Sequence, residues 1–380
     1  MNMAKCALVL TSIFDTNILD SYWQNIYKYG YIDSVTVFFI PDRKTPQNVY
    51  DKCKEWSKKG MPVSCPTIYE QEAFLSKIGF NPILIPYDSD NRRNVGYLMA
   101  MESGVDFVVS IDDDNFCIDH EDFFAEHSIV CKGTIKAEMV HSNTGWYNIC
   151  QLLEFDQPGT TYPRGFPYYA RHLPEEIQQQ ISPASIHINA GLWLQDPDVD
   201  GISWLVKPMR SKSFTGRSVV LDRNTWTPVN SQNTALKVEA IAAYYFIRMR
   251  YPLLGGLIID RYGDIFSGYF CQACMRHLGG SLRVGSPVAD HRRNSHNYLA
   301  DAMWEMACIV VLEEFLVWLT QEAKLSGNSY VEAYTSLSYL IEDVVEKFTG
   351  KLWNDATRAY FHQVAYCMRE WAGTCKRLTS

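Results

Sequence analysis

Residues 106–115 read DFVVSIDDDN, an apolar run of strand length that ends in three consecutive carboxylates. A strand buried on both faces of a parallel sheet shows this kind of unbroken apolar run. Ligands of such sheets bind beyond the carboxyl ends of the strands, so Asp112, Asp113 and Asp114 emerge where a site belongs. Three adjacent carboxylates repel one another unless a cation neutralises them. Their hard oxygens suit Mg²⁺ or Mn²⁺, which also hold diphosphates. An acidic turn or helix cap is the plainer alternative, but a strand feeding three carboxylates has little structural purpose.

Working outward, short β-rich runs alternate with helical segments. Residues 6–14 (CALVLTSIF), 34–40 (SVTVFFI) and 82–86 (PILIP) read as strands. Residues 19–29, 49–59, 69–78 and 94–103 read as helices between them. Repeated βα units imply an α/β fold with a mostly parallel sheet covered by helices. Residues 132–229 are rich in Gly, Pro, Asn, Tyr and Trp and read as ordered loops and short strands around a site. Residues 235–251 read as a helix, 253–259 as a strand and 265–278 as a helix. From Asn297 the pattern is helical, with Trp304, Cys308, Val311, Phe315 and Leu319 spaced for one apolar face. Residues 1–296 therefore form the sheet-based unit, and 297–380 a helical extension packed on it.

Bulk properties narrow the function. A chain of 380 residues with 47% hydrophobic and 21% charged residues has ordinary globular composition and can bury a large core. A formal net charge of -8 argues against a broad nucleic-acid-binding surface, although local arginines can still hold a phosphate-rich small molecule. No uncharged apolar stretch is long enough to span a membrane; residues 306–319 are interrupted by Glu313 and Glu314. The N-terminus reads as a core strand rather than a secretory signal. The eleven cysteines lack framework spacing, which fits buried thiols in a reducing compartment and makes the cytoplasm the default. Cys271 and Cys274 form a single CxxC within an apolar helical stretch, read as core packing.

Further motifs carry chemistry. In residues 90–96 (DNRRNVG), Arg92 and Arg93 stand at a helix start and could hold phosphate through bidentate bonds, with Gly96 allowing close approach. In residues 260–264 (DRYGD), Asp264 could act as a base, orient a hydroxyl or cap a helix. Residues 290–294 (DHRRN) place His291 in a polar loop. Residues 162–168 (YPRGFPY) fix Arg164 between Pro and Gly in an aromatic loop. Trp193, in residues 189–194 (NAGLWL), could form a sugar platform or belong to the core; Asp196, Asp198 and Asp200 follow it.

Together SIDDDN, PRGFPYYAR, GLWLQDPDVD with the following VKP, RYGDIFSGYFC and the His291 loop resemble the reversibly glycosylated polypeptides, in that family's order over roughly residues 5–300. Plant members act as UDP-arabinopyranose mutases. The resemblance implies a GT-A (glycosyltransferase-A) fold, a UDP-sugar donor, and Mn²⁺ or Mg²⁺ at the acidic triplet with His291 as a further ligand. The family's self-glycosylated arginine corresponds to Arg164. Its carboxylate pair corresponds to Gly263 and Asp264, so the first acid is absent here.

The leading reading is a metal-dependent glycosyltransferase using a nucleotide-diphosphate sugar, UDP-linked. Thr11, Ser12 and Ile13 would line the base pocket, and Asp112, Asp113 and Asp114 would hold ribose and metal. Arg92 and Arg93 would steady the pocket or the diphosphate. Asp264 would orient or deprotonate an unidentified acceptor, and Arg164 would sit near the anomeric carbon. A UDP-sugar pyranose/furanose mutase and a non-catalytic sugar-nucleotide-binding subunit are the alternatives. No nucleic acid or membrane span is expected, and a homo-oligomer is left open.

Overall fold

The computed structural model describes residues 3–13, 17–294 and 296–379. Its first half runs β1 (Cys6–Ser12), α1 (Ile18–Tyr29), β2 (Val35–Pro41), α2 (Gln47–Lys58), β3 (Val63–Ser64), α3 (Ile68–Lys77), α4 (Arg93–Glu102) and β4 (Phe107–Ile111). Next come β5 (Asn115–Cys117), α5 (Phe123–His127), β6 (Ile135–Ser142), β7 (Leu153–Phe155), β8 (Ile177–Ala184) and β9 (Ile186–Gln195). They are followed by α6 (Gly201–Val206), β10 (Ser211–Phe214), β11 (Val219–Leu221), β12 (Asn233–Lys237), β13 (Tyr251–Pro252), β14 (Ile258–Ile259), α7 (Gly263–His277) and β15 (Ser281–His291). Three helices close the chain: α8 (Tyr298–Gln321), α9 (Tyr330–Val345) and α10 (Asp355–Thr379). Phe14, the last residue of the first expected strand, lies outside the described residues.

The main sheet has the strand order β3-β2-β1-β4-β12-β9-β15-β11-β6-β8. The first four strands are mutually parallel. β12 enters antiparallel between β4 and β9, and β15 is again parallel to β9. The period-2 alternation of strand side chains divides the core. Cys6, Leu8, Leu10, Val37, Phe39, Val109 and Ile111 face α1, α2 and α5. Ala7, Val9, Phe38, Ile40 and Val108 face α3, α4 and α7. Both faces of β1 and β4 are therefore apolar, which is why their sequences run without polar interruption. The architecture is α/β, with a sheet parallel over its first four strands and the acidic triplet at the carboxyl end of β4.

Four expectations are corrected. Residues 82–86 do not form a strand; Pro82–Leu84 is a 3₁₀ turn capped by the Asn81 side chain on the Ile83 N–H. Proline at both ends of the segment removes ladder donors. Residues 235–251 are not a helix, because 233–237 form β12 in the centre of the sheet and Val238–Ala243 a 3₁₀ turn. A short apolar run buried on both faces cannot be told from a buried helix by periodicity alone. Within residues 253–259 only Ile258–Ile259 is strand, because Gly255 and Gly256 take positive φ (75° and 78°). Residues 132–229 hold longer strands than expected, β6 and β8 of eight residues and β9 of ten.

The C-terminal helices share the sheet's core. Phe315 of α8 stacks on Phe361 of α10, and Phe266 of α7 meets both edge to face, with centroids 5.4–6.0 Å apart. Trp371 is fully buried, and its Nε1 donates to the Ile241 carbonyl at 2.8 Å. The expected apolar face of α8 holds from Cys308 onward, but Trp304 is 43% exposed. The first turns of α8 turn charged residues inward instead: Asp301 and Glu305 are buried, and Trp304, one position away, points out. Cys271 and Cys274 are buried free thiols inside α7. Among the described residues no helix is long and apolar enough to cross a membrane. Trp371→Ala should lower the unfolding free energy by about 3–5 kcal/mol in a single denaturant transition. A separate early transition for the helices would show that they do not share the core.

Candidate active site

A cavity of about 300 Å³ opens at the carboxyl ends of β1 and β4 and reaches the loops after β9 and β15. Thr11, Ser12, Ile13, Arg92, Arg93, Asp112, Asp113, Asp114, Arg164, Asp264 and His291 all line it, so all the expected site residues except Trp193 meet there. Trp193 is 1% exposed within β9 and lies in the core below, where its ring offers no surface to a sugar.

Each carboxylate of the triplet meets a different element. Asp112 accepts from Arg93 Nη2 at 2.6 Å, and Arg93 Nη1 donates to Ser110 Oγ at 3.0 Å and to the Ser231 carbonyl at 2.9 Å. Arg93 is thus a buried positioning cation, already committed to the carboxylate. Loss of water pushes the Asp112 carboxyl up to about 6; Asp114 adds to the shift and Arg93 opposes it. Asp113 is pushed up to about 7, first by burial and then by Asp114 and Asp112, against a hydrogen bond with Ser12. Asp114 goes the other way. Burial raises it, but the hydrogen bond and charge of His291 outweigh burial and hold it below the ordinary carboxylate value.

His291 Nε2 lies 3.4 Å from Asp114 Oδ2, while its Nδ1 faces the Asp196 carbonyl. A ring nitrogen facing a carbonyl must carry the proton, which leaves Nε2 as the nitrogen able to ligate. Among the described residues no three His, Cys, Asp or Glu side chains converge into a coordination shell. Asp112, expected as a third ligand, is drawn to Arg93 instead. The donor set fits Mg²⁺ or Mn²⁺ nonetheless, since such ions are commonly held by one or two protein oxygens together with substrate phosphates and water.

Arg92 lines the cavity but spends its guanidinium elsewhere. It is fully buried, donates to Gln71 Oε1 and the Ile85 carbonyl, and stacks on Tyr87 at 4.7 Å. Of the two expected roles, steadying the pocket or the diphosphate, its Nη groups serve the first by bracing α3 against α4.

Arg164 is the most constrained group. Nε and Nη2 donate to Asp198 at 2.9 and 3.2 Å, and Nη1 and Nη2 to Asp264 at 3.1 and 2.9 Å. Nη1 also donates to the Arg261 carbonyl. All five N–H donors are engaged, the full capacity of a guanidinium. Burial disfavours the cation, but Asp198 and Asp264 outweigh it and raise the pKa well above the ordinary value. Asp264 also accepts from the Ile265 N–H at 2.9 Å as the first acid of α7. With both oxygens occupied it orients Arg164, and in this arrangement it is not a free base.

Gly263 precedes it. A Cβ there would stand 2.6 Å from the Phe246 ring and 2.8 Å from the Ile247 carbonyl, so packing leaves no room for a second acid. The second carboxylate on Arg164 comes from Asp198, which sequence reading placed only in a turn. Arg261, Arg293 and His296 also line the cavity; the Arg-Arg pair after His291 was the signal for Arg293, Arg261 lies within DRYGD, and no motif marked His296. Gly165 fixes the turn that presents Arg164: its φ is +85°, and a Cβ would lie 2.5 Å from Ile265 Cγ2. Gly165→Ala should cost about 1–3 kcal/mol in denaturant melts. Wild-type stability in that variant would show that the turn tolerates another conformation.

The sequence model of the family described as reversibly glycosylated polypeptide matches residues 63–380. The chain is 25% identical over 309 residues to UDP-arabinopyranose mutase 1 of Arabidopsis thaliana, covering 80% of this chain and 77% of that protein. It is 26% identical over 281 residues to a probable UDP-arabinopyranose mutase 1 of Pisum sativum, covering 73% and 71%. Glucosyl-3-phosphoglycerate synthase from Mycobacterium tuberculosis, in complex with Mn²⁺ and uridine-diphosphate-glucose, superposes with a TM-score of 0.37 at 11% identity, covering 82% of this chain and 79% of that one. The chain belongs to the reversibly glycosylated polypeptide family.

Proposed function

We propose that the cavity binds a UDP-sugar with Mn²⁺ or Mg²⁺ and that the reaction breaks the bond between the anomeric carbon and the diphosphate oxygen. One observation carries this: the carboxylate–histidine pair Asp114–His291 and the clamped Arg164–Asp264 pair face the same cavity. Thr11, Ser12 and Ile13 border the base, Asp113 meets the ribose, and Asp114 and His291 meet the metal. Bound there, the ion would offset the charge that develops on the departing nucleotide. The bonding electron pair leaves with the diphosphate, and the cationic Arg164, fixed by Asp198 and Asp264, faces the sugar.

Two fates of the glycosyl group follow. In transfer, an acceptor hydroxyl oxygen bonds to the anomeric carbon and its proton passes to the departing diphosphate oxygen. In the second reading the bond from the anomeric carbon to the ring oxygen opens, another hydroxyl oxygen of the same sugar closes on that carbon while its proton passes to the freed ring oxygen, and the diphosphate oxygen then recombines with the rearranged ring. A specific observation favours this one at least as strongly: Arg164, the counterpart of the family's glycosylated arginine, is retained between two carboxylates, and the curated relatives are named UDP-arabinopyranose mutases.

Thermal shift with UDP, GDP, CDP and dTDP, with and without Mn²⁺, tests the donor site. UDP should stabilise the wild type in the presence of metal, and Asp114→Ala should weaken UDP at least tenfold, as expected for loss of a charge-assisted contact. No stabilisation by any nucleotide would sink the proposal. Incubation with UDP-arabinopyranose then separates the fates. Furanose product and a sugar adduct, both lost in Arg164→Met, support the mutase; hydrolysis without ring change supports the transferase. Binding without any turnover would leave a binding subunit.

A further inference from the structure

Arg293 lines the cavity two residues beyond His291, and its side chain is only 8% exposed. Its backbone N–H donates to Asp196 Oδ2 at 3.1 Å, which pins the loop. The guanidinium lies 5.4 Å over the Trp204 ring and 5.5 Å over Tyr298, two rings stacked on each other with centroids 5.1 Å apart. Nη1 is buried and has no hydrogen-bond partner among the described residues.

The nearest carboxylate does not satisfy it. Asp301 Oδ2 is 3.6 Å from Arg293 Nη2, beyond good hydrogen-bond distance. Asp301 already accepts from His296 Nδ1 at 2.9 Å and pairs with Arg261 Nη1 at 3.3 Å. The other buried arginines of the cavity differ. Arg92 and Arg93 leave only Nε unpaired and bind protein acceptors through both Nη atoms, and Arg164 binds through every N–H, so Arg293 is the one whose unpaired atom is an Nη of the fork. A buried guanidinium N–H without an acceptor is costly, and a planar fork locked by packing is suited to two oxygens of one anion.

We infer that Arg293 is a substrate-contact residue whose guanidinium donates to phosphate oxygens of a bound molecule. The inference rests on the cavity being a sugar-nucleotide site and adds to it a residue that the acidic triplet does not require. The same chemistry could come from the donor's diphosphate or from a phosphate on the acceptor.

Calorimetric titrations of wild type, Arg293→Met and Arg293→Lys with UDP, with uridine, and with inorganic phosphate added to UDP-loaded protein, all in Mn²⁺, decide it. Uridine affinity should stay at the wild-type level. If the donor's diphosphate is the ligand, UDP affinity falls roughly tenfold or more in Arg293→Met, the loss of a charge-assisted pair. If the acceptor is the source, UDP affinity holds and phosphate binding to the UDP-loaded protein is lost. Wild-type affinities for all three probes in the variants would overturn the inference, as would a uridine loss equal to the UDP loss, since that marks a structural role. Arg293→Lys keeps the charge without the fork and is read in the same way if Arg293→Met does not fold. Failure of the wild type to bind UDP would remove the parent reading too, whereas wild-type binding that the variants share removes only this inference.

Discussion

Neutralising three adjacent carboxylates at the end of a buried strand is the constraint on which the rest of the site depends. In water such a cluster would cost little, but at the carboxyl edge of β4 each negative charge loses solvent and feels the other two. The fold answers by giving each carboxylate its own partner. Asp112 goes to Arg93 at the start of α4, Asp113 to Ser12 at the end of β1, and Asp114 to His291 at the end of β15. Three elements distant in sequence are thereby held to one point, and the cavity follows from their convergence. The partners are unequal. Asp113 meets only a neutral hydroxyl and is pushed up furthest, to about 7 against about 6 for Asp112, so it stays the least compensated member, the place where a substrate donor or a cation gains most.

The same logic orders the opposite wall. Arg164, Arg261 and Arg293 are cations removed from water, which is tolerated only when carboxylates accompany them. Asp198 and Asp264 serve Arg164, and Asp301 and Glu305 serve Arg261. The last two carboxylates come from α8, so the C-terminal helices do more than cover the sheet. They supply the counter-charges that keep one wall of the cavity cationic. This also explains why the inward face at the start of α8 is acidic rather than apolar.

Much of this was legible in the sequence. The β4 triplet, the βα repeats and the Arg164 turn each rest on a local pattern with a physical cause, and so they could be read directly. What escaped depends on long-range pairing. Residues 235–251 look helical until 233–237 are known to pair with β4 and β9, and Trp193 reads as platform or core until its burial within β9 is known. Arg92 and Arg93 are adjacent and read alike, as residues that steady either the pocket or the diphosphate. Only the packing of α3 and α4 shows that both Nη groups of each are already committed, and only the separation of Asp301 from Arg293 shows which arginine is not.

The Gly263–Asp264 step shows how packing and charge act together. A single acid remains at the start of α7 because Phe246 and the Ile247 carbonyl occupy the space a side chain at 263 would need. Charge balance around Arg164 is restored from another element, since Asp198 accepts from Nε and Nη2 and is itself braced by Asn230 at 2.6 Å. Two buried carboxylates on one guanidinium outweigh its desolvation and hold it cationic. A guanidinium in that state has no lone pair to offer. For Arg164 to bond to a sugar it must first give up a proton, and the charge that holds that proton is the pair Asp198 and Asp264. Any route through an arginine adduct therefore needs an acceptor for that proton, and the carboxylates in contact with it are Asp198 and Asp264, whereas a route in which Arg164 acts only as a fixed positive charge moves no proton at all.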